Sequence, residues 1–147
     1  MVAEMETENA KFCSGPQHHR PDHRTGVPMS RAAISHSTGL EDSERVTIAL
    51  LVAVAAAEAG RSTIMFLTKE AVRLATDGFA FGVACEGCPP IPDLMQRLTN
   101  TGGELLVCPI CFNARRLDEA TLVSTARLGG TVQLWEWIGD GATTFSY

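Results

Sequence analysis

From residue 39 onward this chain of 147 residues contains no histidine: the four stand at positions 18, 19, 23 and 36. A Cys–His hydrolase or transferase needs a base beside its thiol, so the body of the chain is poorly supplied for such chemistry. His36, at the end of the first expected strand, is read as a structural residue or one at the rim of a site. Positive charge is also scarce, with 12 basic residues against 17 acidic and a net charge of −5. That balance gives no electrostatic footprint for nucleic acid. No apolar run reaches the roughly 18 residues of a membrane span. The longest, Ile48 to Ala57, is Ala/Val-rich and fits a buried helix. Met1 to Lys11 is polar and acidic, without the pattern of a secretory signal, which sets the expectation of a cytoplasmic protein. In that setting five cysteines point to reduced thiols, metal binding or catalysis rather than a disulfide framework.

What is present falls into two parts. Residues 1 to 30 carry three of the seven prolines, much charge and few large apolar side chains, and are expected to be a flexible tail. The His-rich stretch Gln17 to Arg24 is a compositional signal for loose metal binding at most, and Cys13 lies in the same tail. Residues 31 to 147 read as one α/β domain. Arg31 to Ser35 is a first strand, and Asp42 or Ser43 caps a helix from Ser43 to Ala59 that is apolar nearly all round. Thr63 to Leu67 is apolar without alternation, as a central parallel strand is. Lys69 to Ala75 is a short helix. Phe79 to Val83 is expected to be extended, and Cys85 to Pro90 a loop. Pro92 opens a helix that Gly102 and Gly103 close. Asp118 to Leu122 is a turn of helix, and Thr143 to Ser146 a last strand. Leu128 to Ile138 fits a strand at Thr131–Val132 and equally a helical stripe through Leu128, Val132, Trp135 and Ile138. Alternating strands and helices predict a parallel sheet covered on both faces.

The stretch that organises the domain is Gly103-Glu104-Leu105-Leu106-Val107-Cys108-Pro109-Ile110-Cys111. Glu104 to Val107 is a buried strand, and Pro109 suits the first turn of a helix. Cys108 is therefore expected at the carboxyl end of a strand, where ligands and chemistry collect in open α/β sheets. A helix N-terminus just beyond it favours a thiolate.

The body from about Arg31 resembles the DsrE/DsrF-like sulfur-relay family. The likeness rests on the opening strand and Ala-rich helix ending Ala59-Gly60, on Phe66 to Val72, and on Gly102 to Cys108 followed by an Ala-Arg helix and Asp118-Glu119-Ala120. It implies a three-layer α/β/α fold with a five-stranded, mainly parallel sheet. It further implies homotrimers or hexamers and a cysteine that carries sulfur as a persulfide, a place Cys108 matches.

Three chemistries fit the thiols. In sulfur relay, a sulfurtransferase-type carrier, Cys108 accepts sulfane sulfur, holds it as a persulfide and passes it to a partner thiol, with a donor or acceptor protein as partner. Cys111 resolves the persulfide, and no cofactor is required. In redox exchange, Cys108 and Cys111 act as a dithiol. Cys-Pro-Ile-Cys resembles a glutaredoxin-type motif, although it begins late in the chain and no proline follows Pro109. In a metal site, Cys85, Cys88, Cys108 and Cys111 bind zinc, since their two Cys-x-x-Cys pairs are nineteen residues apart.

Overall fold

The computed structural model describes residues 30–147. Five strands form one sheet: β1 (Arg31–His36), β2 (Ser62–Leu67), β3 (Glu104–Val107), β4 (Ala126–Leu128) and β5 (Thr143–Ser146). They lie in the order β4-β3-β2-β1-β5, and every neighbouring pair is parallel. Four helices connect them: α1 (Ser43–Glu58), α2 (Ile91–Asn100), α3 (Pro109–Ala114) and α4 (Thr131–Ile138).

The local signals act as the sequence suggests. The Asp42 carboxylate accepts the Arg45 backbone N–H at 3.0 Å and caps α1. Pro92 sits in the first turn of α2. Gly103 is required by close approach, because a Cβ there would run into the Leu98 side chain.

Strand order explains the layering. The chain steps from β1 to β2, β3 and β4 in one direction, then returns across the sheet to β5. Parallel crossovers are right-handed, so the steps outward place their helices on one face and the return places α4 on the other. The core divides accordingly. On the first face Ala32, Ile34, Met65, Leu67, Leu105 and Val107 pack beneath buried residues of α1, α2, α3 and the 3-10 turn Lys69–Ala75. On the second, Ala33, Ile64, Phe66 and Leu106 meet Leu134, Trp137 and Ile138 of α4, with Ala142 and Cys108. The fold is α/β/α in three layers, and the layers are unequal. No residue of α4 is fully buried, and β5 is exposed along its length.

Several expectations are corrected. Phe79 to Val83 is a run of turns and not a strand. Gly78 and Gly82 both hold φ +74°, and the Phe79, Phe81 and Val83 N–H groups each bond three residues back. The ambiguous Leu128 to Ile138 divides at Gly129-Gly130: Leu128 ends β4, and the helical stripe forms α4. The short helix expected at Lys69 to Ala75 is present, wound as a 3-10 helix. Helix α1, expected against a sheet or an oligomer interface, packs on the sheet with one face and leaves Ile48 and Leu51 exposed on another. The tail with Cys13, His18, His19 and His23 lies outside the described residues.

Candidate functional site

Cys108 stands where the topology reverses. It follows β3, whose connection turns to the first face, while the neighbouring β4 leads through Gly129-Gly130 to α4 on the second face. Adjacent strands whose connections part in this way leave a crevice at their carboxyl ends. The position of Cys108 is fixed by backbone pairing on both sides. Its own N–H donates to Leu67 O at 3.0 Å, and the Gly129 N–H donates to Val107 O at 3.0 Å. Gly129 cannot carry a side chain here, because its Cβ would collide with Leu106. Cys108 is half-buried and touches the core on both faces of the sheet.

Helix α3 begins at Pro109, and the Phe112 N–H closes its first turn on Cys108 O at 3.0 Å. Proline has no N–H, so the open donors of this first turn are those of Ile110 and Cys111. Ile110 projects outward, 81% exposed, while Phe112 is fully buried and anchors the helix. Cys111 is half-buried. Neither it nor Cys108 is in a disulfide.

A charged cluster ties α3 to the turn after β2. Glu70 accepts Arg115 Nε at 2.8 Å and Arg115 Nη2 at 2.7 Å on one oxygen, and Arg73 Nε at 3.0 Å on the other. The same Arg115 donates to Cys111 O at 3.1 Å. Hydrogen bonds from Arg115 first and Arg73 second hold the Glu70 carboxyl below its ordinary value. Lys69, just before it, is exposed and adopts φ +49°, a left-handed conformation unusual for a residue with a side chain.

The other two cysteines of the body are elsewhere and in another state. Cys85 and Cys88 form a disulfide, with Cα atoms 5.1 Å apart. This departs from the expectation of reduced thiols throughout the body. Cys85 Sγ rests 3.6 Å from Thr47 Oγ1 in the first turns of α1. The structure thus does not bring the four cysteines into one cluster. Among the described residues no group of three or more His, Cys, Asp or Glu is placed to hold a metal ion. The spacing of the two Cys-x-x-Cys pairs therefore has no matching cluster among the described residues, where α2 and β3 stand between them in the chain.

His36 ends β1 on the first face and is fully buried, and among the described residues neither ring nitrogen has a hydrogen-bond partner. Burial lowers its pKa below the usual 6.5. The charge of Arg45 acts in the same direction, while the Thr38 backbone, Glu41 and Asp42 act against it. It is a structural residue rather than an accessible base. Glu70, Arg73, Arg115 and Lys69 were not read as site residues from the sequence. The i, i+3 spacing of Glu70 and Arg73 and the i, i+4 spacing of Cys111 and Arg115 were the available signals.

The family model of the DsrE/DsrF-like proteins matches residues 30–147, the whole described domain. The chain belongs to the DsrE/DsrF-like family. Solved structures with the same DsrE-like fold include the YchN protein from E. coli, 21% identical, with a TM-score of 0.69 over 81% of this chain and 100% of that one. A protein of unknown function from Methanobacterium thermoautotrophicum is 12% identical, with a TM-score of 0.59 over 80% of this chain and 99% of its own. A conserved protein of unknown function from Bacteroides thetaiotaomicron is 16% identical, with a TM-score of 0.56 over 80% and 95%. No curated protein matches the sequence. No helix among the described residues of this DsrE/DsrF-like domain is long and apolar enough to cross a membrane.

Proposed function

We propose that this protein is a cytoplasmic sulfur carrier that holds sulfane sulfur as a persulfide on Cys108. The observation that carries the reading is a free, half-exposed thiol at the topological reversal of a DsrE/DsrF-like sheet. The Cys108 thiolate attacks the outer sulfur of a donor persulfide. A bond forms from Sγ to that sulfur, the donor's S–S bond breaks, and the donor leaves as its thiolate. Attack by an acceptor thiolate on the same outer sulfur reverses the step. These exchanges need an accessible thiolate and neither a metal nor a base, which suits a domain whose one described histidine, His36, is fully buried. Cys111 offers a second outcome: its thiolate attacks Cys108 Sγ, closes a disulfide and expels hydrosulfide. The same two free thiols, three residues apart, support the alternative of a dithiol redox protein.

A homo-oligomer, trimer or hexamer, belongs to the proposal. The second face is covered by one eight-residue helix whose Val132 and Trp135 are exposed, beside an exposed β5 with Phe145. Apolar surface of that extent suits contact with further copies.

The test is alkylation and mass spectrometry after loading with a sulfane-sulfur donor, on the wild type, Cys108→Ser and Cys111→Ser, with light scattering on each. The proposal expects a sulfur adduct that is absent in Cys108→Ser and longer-lived in Cys111→Ser, on a protein larger than a monomer. An adduct that survives Cys108→Ser overturns the carrier assignment. A monomer at micromolar concentration overturns the assembly.

A further inference from the structure

We propose that Lys69 recruits the sulfur donor, and that this donor is a small anion such as an inorganic polysulfide. The inference rests on the carrier reading of Cys108 and adds the class of its substrate.

The first support is placement. Strands β2 and β3 pair in register up to Leu67 beside Val107, and the Cys108 N–H continues the ladder to Leu67 O. Thr68 and Lys69 therefore leave β2 level with Cys108 and Pro109, at the same edge of the sheet. The turn that Lys69 opens packs against α3.

The second support is charge. Attack by a thiolate on an anionic sulfur compound brings like charges together, on a chain whose own net charge is −5. A positive group near the thiol is what such a reaction lacks. Arg73 and Arg115 are both committed to Glu70. Among the described residues Lys69, Arg31, Arg61 and Arg116 have no ion pair. Arg31, at the start of β1, is bound to the Trp137 and Ile138 carbonyls at the opposite edge. Arg61 precedes β2, at the opposite edge. Arg116 follows α3, a helix of six residues and so about 9 Å long, at the end away from Cys108. Lys69 is the cation left over at the Cys108 end.

The third support is backbone conformation. Arg116 is also left-handed, at φ +53°, but it ends a helix, where that conformation is routine. Lys69 is left-handed at the start of a turn, a place that glycine fills with least strain. Strain kept beside a reactive group marks a position held for function.

The reaction balances without a further reagent. Cys108 thiolate and a tetrasulfide dianion give the Cys108 perthiolate and a trisulfide dianion. One S–S bond forms at Sγ, one breaks in the donor, and total charge is unchanged.

The experiment measures initial rates of Cys108 labelling by inorganic polysulfide and by neutral dimethyl trisulfide. It uses the full-length wild type, Lys69→Gln, Lys69→Arg and Arg116→Gln. Lys69→Gln is expected to slow polysulfide loading about five-fold, the effect of one nearby charge in a wet site, and to leave the trisulfide rate unchanged. Lys69→Arg restores the polysulfide rate, Arg116→Gln does not lower it, and added salt brings wild type down toward Lys69→Gln. Equal polysulfide rates in wild type and Lys69→Gln overturn the role of Lys69 and leave Cys108 as the carrier. An equal loss in Arg116→Gln overturns it too, by tracing the effect to net charge. If neither donor labels Cys108 in the wild type, the carrier reading itself falls, and this inference with it.

Discussion

Cys85-x-x-Cys88 and Cys108-x-x-Cys111 share a spacing and a domain but not a chemistry. The first pair lies in a loop without regular structure between residues 76 and 90, and its sulfurs are joined. The second lies on a strand-to-helix junction, and its thiols are unlinked. The backbone makes the difference. The loop is free to curl, and the Cys88 N–H turns back onto Cys85 O at 3.0 Å. Cys108 is held by β2 and β4 neighbours, and Cys111 by a helix whose Phe112 is buried in the core. Spacing decides which sulfurs can meet; the elements carrying them decide which ones do.

The largest effect that could break this contrast is in labelling. Alkylation of the unfolded, unreduced protein should modify Cys108 and Cys111 and leave Cys85 and Cys88 as a linked pair, lighter by two hydrogens. Four reactive body thiols, or protection lifted by a chelator rather than a reductant, would erase the distinction and restore the metal reading.

Stability sharpens the contrast next. Phe112→Ala empties a fully buried site behind the Cys108 helix and should cost about 3–5 kcal/mol in denaturant unfolding. The double change Cys85→Ser, Cys88→Ser opens a ring of four residues and should cost no more than about 2 kcal/mol. A larger loss from the loop than from Phe112 would show that the loop pair, not the junction, anchors the domain.

The smallest expected effect concerns His36, beneath the α1 end on which Cys85 rests. Its folded pKa is depressed, so the unfolded chain takes up the proton first. The stability it contributes is complete above about pH 6.5 and is lost as pH falls through the lower folded value. Arg45, Glu41, Asp42 and the Thr38 backbone surround it, so His36→Leu should be compared with the wild type under one salt condition. The variant should be flatter with pH over that window, while Cys108 labelling changes little. Identical pH profiles would show that the ring is not what titrates.

Strong local patterns were legible in the sequence. The apolar run of β2, the Asp42 cap, Pro92 at the start of α2, and Cys108 between Val107 and Pro109 were each specified by neighbouring residues. What escaped depends on distant partners. Strand β4 has three residues and exists because Leu105 to Val107 offer an edge to pair with. The Cys85–Cys88 bond depends on how a Gly-rich loop closes. Lys69 shows no local sign of a left-handed backbone, and the link from Glu70 to Arg115 spans 45 residues.

The unequal layers have a consequence for how the molecule breathes. Arg31, at the start of β1, donates to Trp137 O at 2.9 Å and Ile138 O at 3.0 Å, and its guanidinium lies 5.8 Å from the Trp137 ring centroid. One side chain thus ties down the far end of the one helix that the described residues place on the second face. Local openings begin where few apolar contacts must be broken. Amide exchange should therefore proceed in two tiers. The amides of α4 and β5 exchange early and together, while those of β1, β2, β3 and α1 wait for global unfolding. Cys108 lies on the boundary between the tiers, with slow exchange expected on its β3 side and fast exchange at Gly129-Gly130.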